Sequence, residues 1–200
     1  MLYYRFLFII MLEMELINME YSLRNGEIIK IREAEESDAL VLLEILDKCS
    51  RETRFLSRNP GEVVVNENTI ECEKNIIATV KADNTTYWYV VEYNGEIVGQ
   101  CSVRFIRNSQ RYIHRAELGF MLIESACNLG IGGKMMSYCL DRCRELGVLQ
   151  AELSVVVKNK RALKMYKGFG FKRVGKIPRA LKYSDGSFAD EYKMIKYLDE

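Results

Sequence analysis

The clearest chemical signal in the chain is the stretch Asn128–Lys134, which reads NLGIGGK. Three glycines, Gly130, Gly132 and Gly133, fall within four positions. Glycine lets a backbone approach a ligand closely, and the first N–H groups of a helix have no intrahelical acceptor. A strand-like run, Leu118 to Ile123, precedes the glycines, and a long amphipathic run, Lys134 to Leu146, follows them. A strand, a glycine turn and a helix N-terminus in that order make an anion site, to which the helix dipole adds partial positive charge. We read the stretch as a pyrophosphate cradle made of the backbone of Leu129, Gly130, Ile131, Gly132, Gly133 and Lys134. The Lys134 side chain equally suits a solvated position at a helix start. The frame is not GxxxxGK[ST], and no GxGxxG follows the first strand, so a nucleotide-binding P-loop or Rossmann site fits poorly.

Few other residues offer chemistry by type alone. His114 is the only histidine, and the six cysteines, at positions 49, 72, 101, 127, 139 and 143, form no CxxC pair and no zinc spacing. We therefore expect no metal and a reduced, cytoplasmic protein. Cys139 and Cys143 stand at i, i+4 on an expected helix, where buried thiols are ordinary. A net charge of +1 makes no case for nucleic acid or an anionic membrane. The apolar run Met1 to Leu12 is too short to span a bilayer and lacks a signal-peptide cleavage site. Residues 1–18 read as an N-terminal appendage, with Met11, Met14 and Met19 as alternative starts, and residues 19–200 as one domain.

The elements that must position the glycine loop follow from periodicity. Glu27 to Ala34 alternates apolar and polar residues, as a first strand does. Ser37 suits the N-cap of a helix over Asp38 to Arg54, and Asn66 to Lys81 reads as a second helix. Thr86–Tyr93 and Glu96–Ile106 form a hairpin about Asn94-Gly95, and Arg111–Ile123 a third antiparallel strand. A helix from Gly133 to Leu146 ends at Gly147, the C-cap. A buried strand, Glu152–Val157, and a short helix from Asn159 to about Tyr166 come next. Phe171–Lys176 and Glu191–Leu198 close the chain as a hairpin.

This order resembles the GCN5-related N-acetyltransferase (GNAT) superfamily from about Ile28 to Leu198. Three motifs carry the resemblance. The family's loop pattern, Gln/Arg-x-x-Gly-x-Gly/Ala, falls on Cys127-Asn128-Leu129-Gly130-Ile131-Gly132, with Cys127 departing from the usual Gln or Arg. Asn159-x-x-Ala162-x-x-Met165-Tyr166, followed by Gly168-Phe169-Gly170-Phe171, is similar to the family's second motif. Glu117 in RAELGFMLI occupies the strand where members carry an acid. A weaker likeness, Gly175 to Arg179 with Asp185, Asp190 and Glu191, points to the ribosomal-protein N-terminal and small-amine acetyltransferase subgroup.

The resemblance implies an α/β (α+β) fold with a mixed, mostly antiparallel sheet of about seven strands and about four helices. A splayed strand pair would form the cofactor cleft. It implies acetyl-CoA as co-substrate, its pantetheine lying along Met121, Leu122 and Ile123, with Asn159 contacting it or capping the helix. Tyr166 would protonate the sulfur. Glu117 would act as general base, directly or through water, although a structural strand glutamate fits the same position. The acceptor would be a small-molecule amine or a peptide N-terminus, with Arg51, Glu52, Arg54, Phe55, Trp88 and Tyr183 as candidates for its wall. The fold is compatible with a homodimer. A non-catalytic coenzyme A-binding or sensing module is the alternative.

Overall fold

The computed structural model describes residues 18–106 and 109–199 of the chain. Eight strands form one sheet: β1 (Asn18–Ser22), β2 (Ile28–Glu33), β3 (Thr86–Tyr93), β4 (Glu96–Phe105), β5 (Arg115–Leu122), β6 (Gln150–Val156), β7 (Lys172–Lys182) and β8 (Phe188–Tyr197). Their order is β1-β2-β3-β4-β5-β6-β8-β7, and only β5 and β6 run parallel. The described residues hold four α-helices, α1 (Ala39–Glu52), α2 (Glu67–Ala82), α3 (Ile131–Glu145) and α4 (Lys160–Gly168).

The sheet has one strand more than the sequence leads us to expect. Asn18–Ser22 pairs with Ile28–Glu33, closing a turn in which Gly26 takes a positive φ of 85°. This strand begins at the last residue assigned to the appendage; residues 1–17 lie outside the described residues. The Asn94-Gly95 turn forms as expected, both residues at positive φ (53° and 79°), the backbone that a two-residue hairpin needs. Asn66 caps α2, its Oδ1 accepting from Thr69 N at 2.9 Å.

Ser37 does not cap a helix that starts at Asp38. It lies in a 3₁₀ turn, Glu36–Asp38, and the Asp38 carboxylate organises the entry instead. That carboxylate accepts from Glu35 N at 2.8 Å and from two guanidinium nitrogens of Arg32 at 2.7 and 2.9 Å. A charged, bidentate acceptor outcompetes a neighbouring hydroxyl.

Register sorts the side chains onto two faces, because directly paired residues share a face and neighbours along a strand alternate. Tyr89, Cys101 and Phe120 stand in one row across β3, β4 and β5. Tyr89 meets Tyr138 of α3 edge-on at 4.8 Å, so this is the α3 face. Val90, Gln100 and Met121 stand in the adjacent row on the opposite face, where Val90 clusters with Leu42 of α1 and Ile77 of α2.

Candidate active site

The parallel strands β5 and β6 pair for only three residues, Arg115 with Gln150, Ala116 with Ala151 and Glu117 with Glu152. Beyond that point each keeps its outer neighbour, β5 pairing with β4 as far as Leu122 and β6 with β8 as far as Val156. The inner edges, Leu118–Leu122 and Leu153–Val156, face a gap. A cleft of about 1430 Å³ fills that gap and runs to the glycine loop. Met121 and Leu122 line it; by the alternation of antiparallel pairing the Met121 backbone faces Gln100 of β4, and that of Leu122 faces the gap. Ile123 does not have the free backbone expected of it: its N–H donates to Val98 O at 3.0 Å and its carbonyl accepts from Ala126 N at 3.1 Å. Ile123 anchors the end of the strand.

At the far end of the cleft Gly130 is the N-cap of α3, with φ at 91°, a backbone that favours glycine. Its carbonyl accepts from Gly133 N at 3.1 Å and from Lys134 N at 3.2 Å. The N–H groups of Leu129, Gly130, Ile131 and Gly132 find no protein acceptor among the described residues. A Cβ built at Gly130 or Gly133 would meet nothing within 4 Å, whereas one at Gly132 would meet Met165 Sδ at 3.3 Å. Successive unpaired donors at a helix N-terminus, open on one side, fit a pyrophosphate group. The fully buried Ile131 side chain holds the loop to the core. The Lys134 ammonium lies 5.5 Å from the centre of the Tyr21 ring and also borders the cleft. Cys127, where the family carries Gln or Arg, gives its thiol to Ile123 O at 3.5 Å.

The opposite wall is α4. Asn159 caps it, Oδ1 accepting from Ala162 N at 3.1 Å, and borders the cleft. Tyr166, two turns on, is 7% exposed, its ring 6.2 Å from that of Phe120 and 6.1 Å from that of Phe171. The phenol lines the cleft, and its hydroxyl has no protein hydrogen-bond partner among the described residues. Burial pushes its pKa up to about 12, so it stays protonated in neutral solution.

Glu117 stands where β5 and β6 part, but it is not among the residues lining the cleft. Its carboxylate takes Arg104 Nη2 on one oxygen and Lys193 Nζ, at 3.3 Å, on the other. Burial would raise its pKa, but the two cations outweigh burial and hold it below the usual value. Of the residues proposed for the acceptor wall, Glu52 and Phe55 border the cleft. Trp88 does not: its indole N–H donates to Gln100 Oε1 at 2.7 Å, outside the cleft lining. Arg51 pairs with Asp47 at 2.6 Å on the outside of α1. Arg54 and Tyr183 join α1 to the β7–β8 turn, the guanidinium 4.0 Å above the ring and the phenol donating to Arg54 O at 2.7 Å. Sequence reasoning gave no role to Glu191, which borders the cleft from β8. Its place next to Val156 on the adjoining strand was the missing signal, and only the register supplies it.

Residues 44–171 match the model of the acetyltransferase (GNAT) family. The chain belongs to that family. The chain is similar to the L-amino acid N-acetyltransferase AaaT of Escherichia coli K12, with 29% identity over 106 residues. That match covers 52% of this chain and 63% of the relative, less than two thirds of its length. The GNAT-family acetyltransferase of Streptococcus pneumoniae shares the fold at a TM-score of 0.76 and 24% identity, over 84% of this chain and 99% of that one. The yncA protein of Salmonella typhimurium, solved with its cofactor acetyl-CoA, gives a TM-score of 0.71 at 21% identity, over 86% and 95% of the two chains.

Proposed function

We propose that this chain transfers the acetyl group of acetyl-CoA to a primary amine by direct attack within one cleft. The observation that carries the reading is the opened β5 edge, which has unpaired loop N–H groups at one end and an unpartnered phenol across the gap. The N–H groups of Leu129 to Gly132 would hold the pyrophosphate, and the Gly133–Lys134 turn would border it. The gap-facing backbone of Phe120 and Leu122, on either side of Met121, would take the pantetheine as an added strand. Bound there, acetyl-CoA supplies an activated acyl group on a thiol leaving group. Tyr166 donates to the departing sulfur. A thiolate has a pKa of about 8.5 and the buried phenol holds its proton far more tightly, so donation must be coupled to proton loss from the amine. Asn159 keeps the start of α4 fixed beside this site. Of the two roles open to Glu117, its pairing with two cations favours the structural one: it fastens the closed end of the fork.

Calorimetric titration with acetyl-CoA, followed by thiol release with a panel of amino acids, polyamines and peptide N-termini, tests the reading. Binding with release on one amine class is expected. Binding with no release on any amine would replace the enzyme by a coenzyme A-binding module.

A further inference from the structure

A primary alkyl amine has a pKa of about 10.4, so it enters a neutral cleft as an ammonium and must lose a proton before it attacks. Register tells which carboxylates stand where that proton leaves. Glu117, Gly119 and Met121 of β5, Glu152, Ser154 and Val156 of β6, and Glu191 and Lys193 of β8 share one face of the sheet, the face that carries α1 and α2. Tyr166 lies beside Phe120, whose row belongs to the α3 face. The fork is thus a slot through the sheet, with the phenol on one side and these carboxylates on the other.

Most of the acids near the slot are already engaged. Glu117 holds Arg104 and Lys193, and Glu152 holds Arg115 and Gln150. Glu52 accepts from Glu124 N at 2.8 Å. Asp190 pairs with Lys176 at 2.7 Å and accepts from Arg179 N at 2.9 Å. Two cleft-lining acids have neither an ion pair nor a side-chain hydrogen bond among the described residues: Glu124, which is exposed beyond the end of β5, and Glu191, which is half-buried in the slot itself. Its depth in the slot is also set. Glu117 registers with Glu152, so Val156 stands level with Met121, and Glu191 is the direct partner of Val156.

We propose that Glu191 takes the proton from the acceptor ammonium, an inference that rests on the N-acetyltransferase reading above. The free amine then forms the N–C bond as the C–S bond breaks, and the sulfur leaves with the Tyr166 proton. The nitrogen sheds two protons in all. The first passes through Glu191 to solvent, and the second, lost on acylation, restores the phenol. Lys193 on its own strand, Glu117 on β5 and Glu152 on β6 share its face, and Glu52, Glu124, Lys134, Lys160 and Arg161 border the same cleft; its β7 partner, Ile177, is apolar.

The test compares wild type with Glu191→Gln and Glu191→Asp, measuring acetyl-CoA affinity by calorimetry and kcat/KM for the amine as a function of pH. Glu191→Gln should bind acetyl-CoA like wild type, which also reports that it folds. Its kcat/KM should fall about 10²-fold near neutrality. The deficit should shrink as the pH approaches the amine pKa of about 10.4, where free amine is plentiful. Glu191→Asp should recover part of the loss. A wild-type pH profile in Glu191→Gln, with wild type active, would overturn the assignment of Glu191 alone. Wild-type protein that binds acetyl-CoA and releases no thiol on any amine would overturn the enzyme reading, and this inference with it.

Discussion

Arg115–Glu117 and Leu118–Leu122 belong to one strand and have opposite surroundings. The first three residues pair with β6, and their charged side chains are clamped, Arg115 to Glu152 and Glu117 to Arg104 and Lys193. The next five have no partner on that side and border a cleft instead. Backbone groups left unpaired in a protein interior are costly unless water or a ligand satisfies them. The closed half therefore contributes stability, and the open half keeps a free edge for a ligand. The open half stays apart because each strand is held by its outer neighbour, β4 or β8.

The contrast breaks most sharply at the glycine loop, which extends the open half. Gly132→Glu would press a side chain towards Met165 and set a carboxylate among the phosphate donors. Acetyl-CoA affinity should fall at least about 10²-fold by calorimetry, the scale of a like-charge contact. Retained affinity would put the cradle elsewhere. Tyr166→Phe comes next. The hydroxyl has no protein partner among the described residues, so stability and acetyl-CoA affinity should hardly move, while kcat falls about 10²-fold. Because burial raises the phenol to about 12, the wild-type rate should show no descending limb from Tyr166 until the pH nears that value.

Changes in the closed half should act on stability first. Arg115→Ala leaves Glu152 with only the Gln150 amide, and should cost about 1–3 kcal/mol, read as a lower urea midpoint at an unchanged slope. The smallest effect depends on acid. Glu117 has its pKa lowered by its two cations, so its contribution is present above the ordinary value of 4.5 and is lost as the pH falls through the folded-state value. The stability gap between wild type and Glu117→Gln should therefore narrow as the pH is lowered below 4.5.

Local signals in the chain foretold most of this arrangement. Asn66, Asn94-Gly95, Gly130 and Asn159 each impose one backbone geometry through a cap or a positive φ, and each does so in the fold. Features that depend on distant partners were not legible. Ser37 gave way to Asp38 because Arg32 on another strand engages the carboxylate. The last hairpin runs longer than its alternation suggests, since β7 passes Pro178 by an irregularity in which Arg179 takes a positive φ and its N–H meets Asp190. Glu117 stayed open between a base and a structural glutamate, because the two cations that hold its carboxylate come from β4 and β8. Glu191 entered only as part of the C-terminal likeness, with no role, for only the pairing of β6 with β8 brings it to the cleft.

Amide hydrogen exchange, with and without acetyl-CoA, tests the division of β5 most directly. Phe120, Leu122 and Leu129–Gly132 should gain strong protection on binding, while Arg115–Glu117, already paired, should change little. Equal protection in both halves, or none in either, would contradict the account of an open edge that its ligand completes.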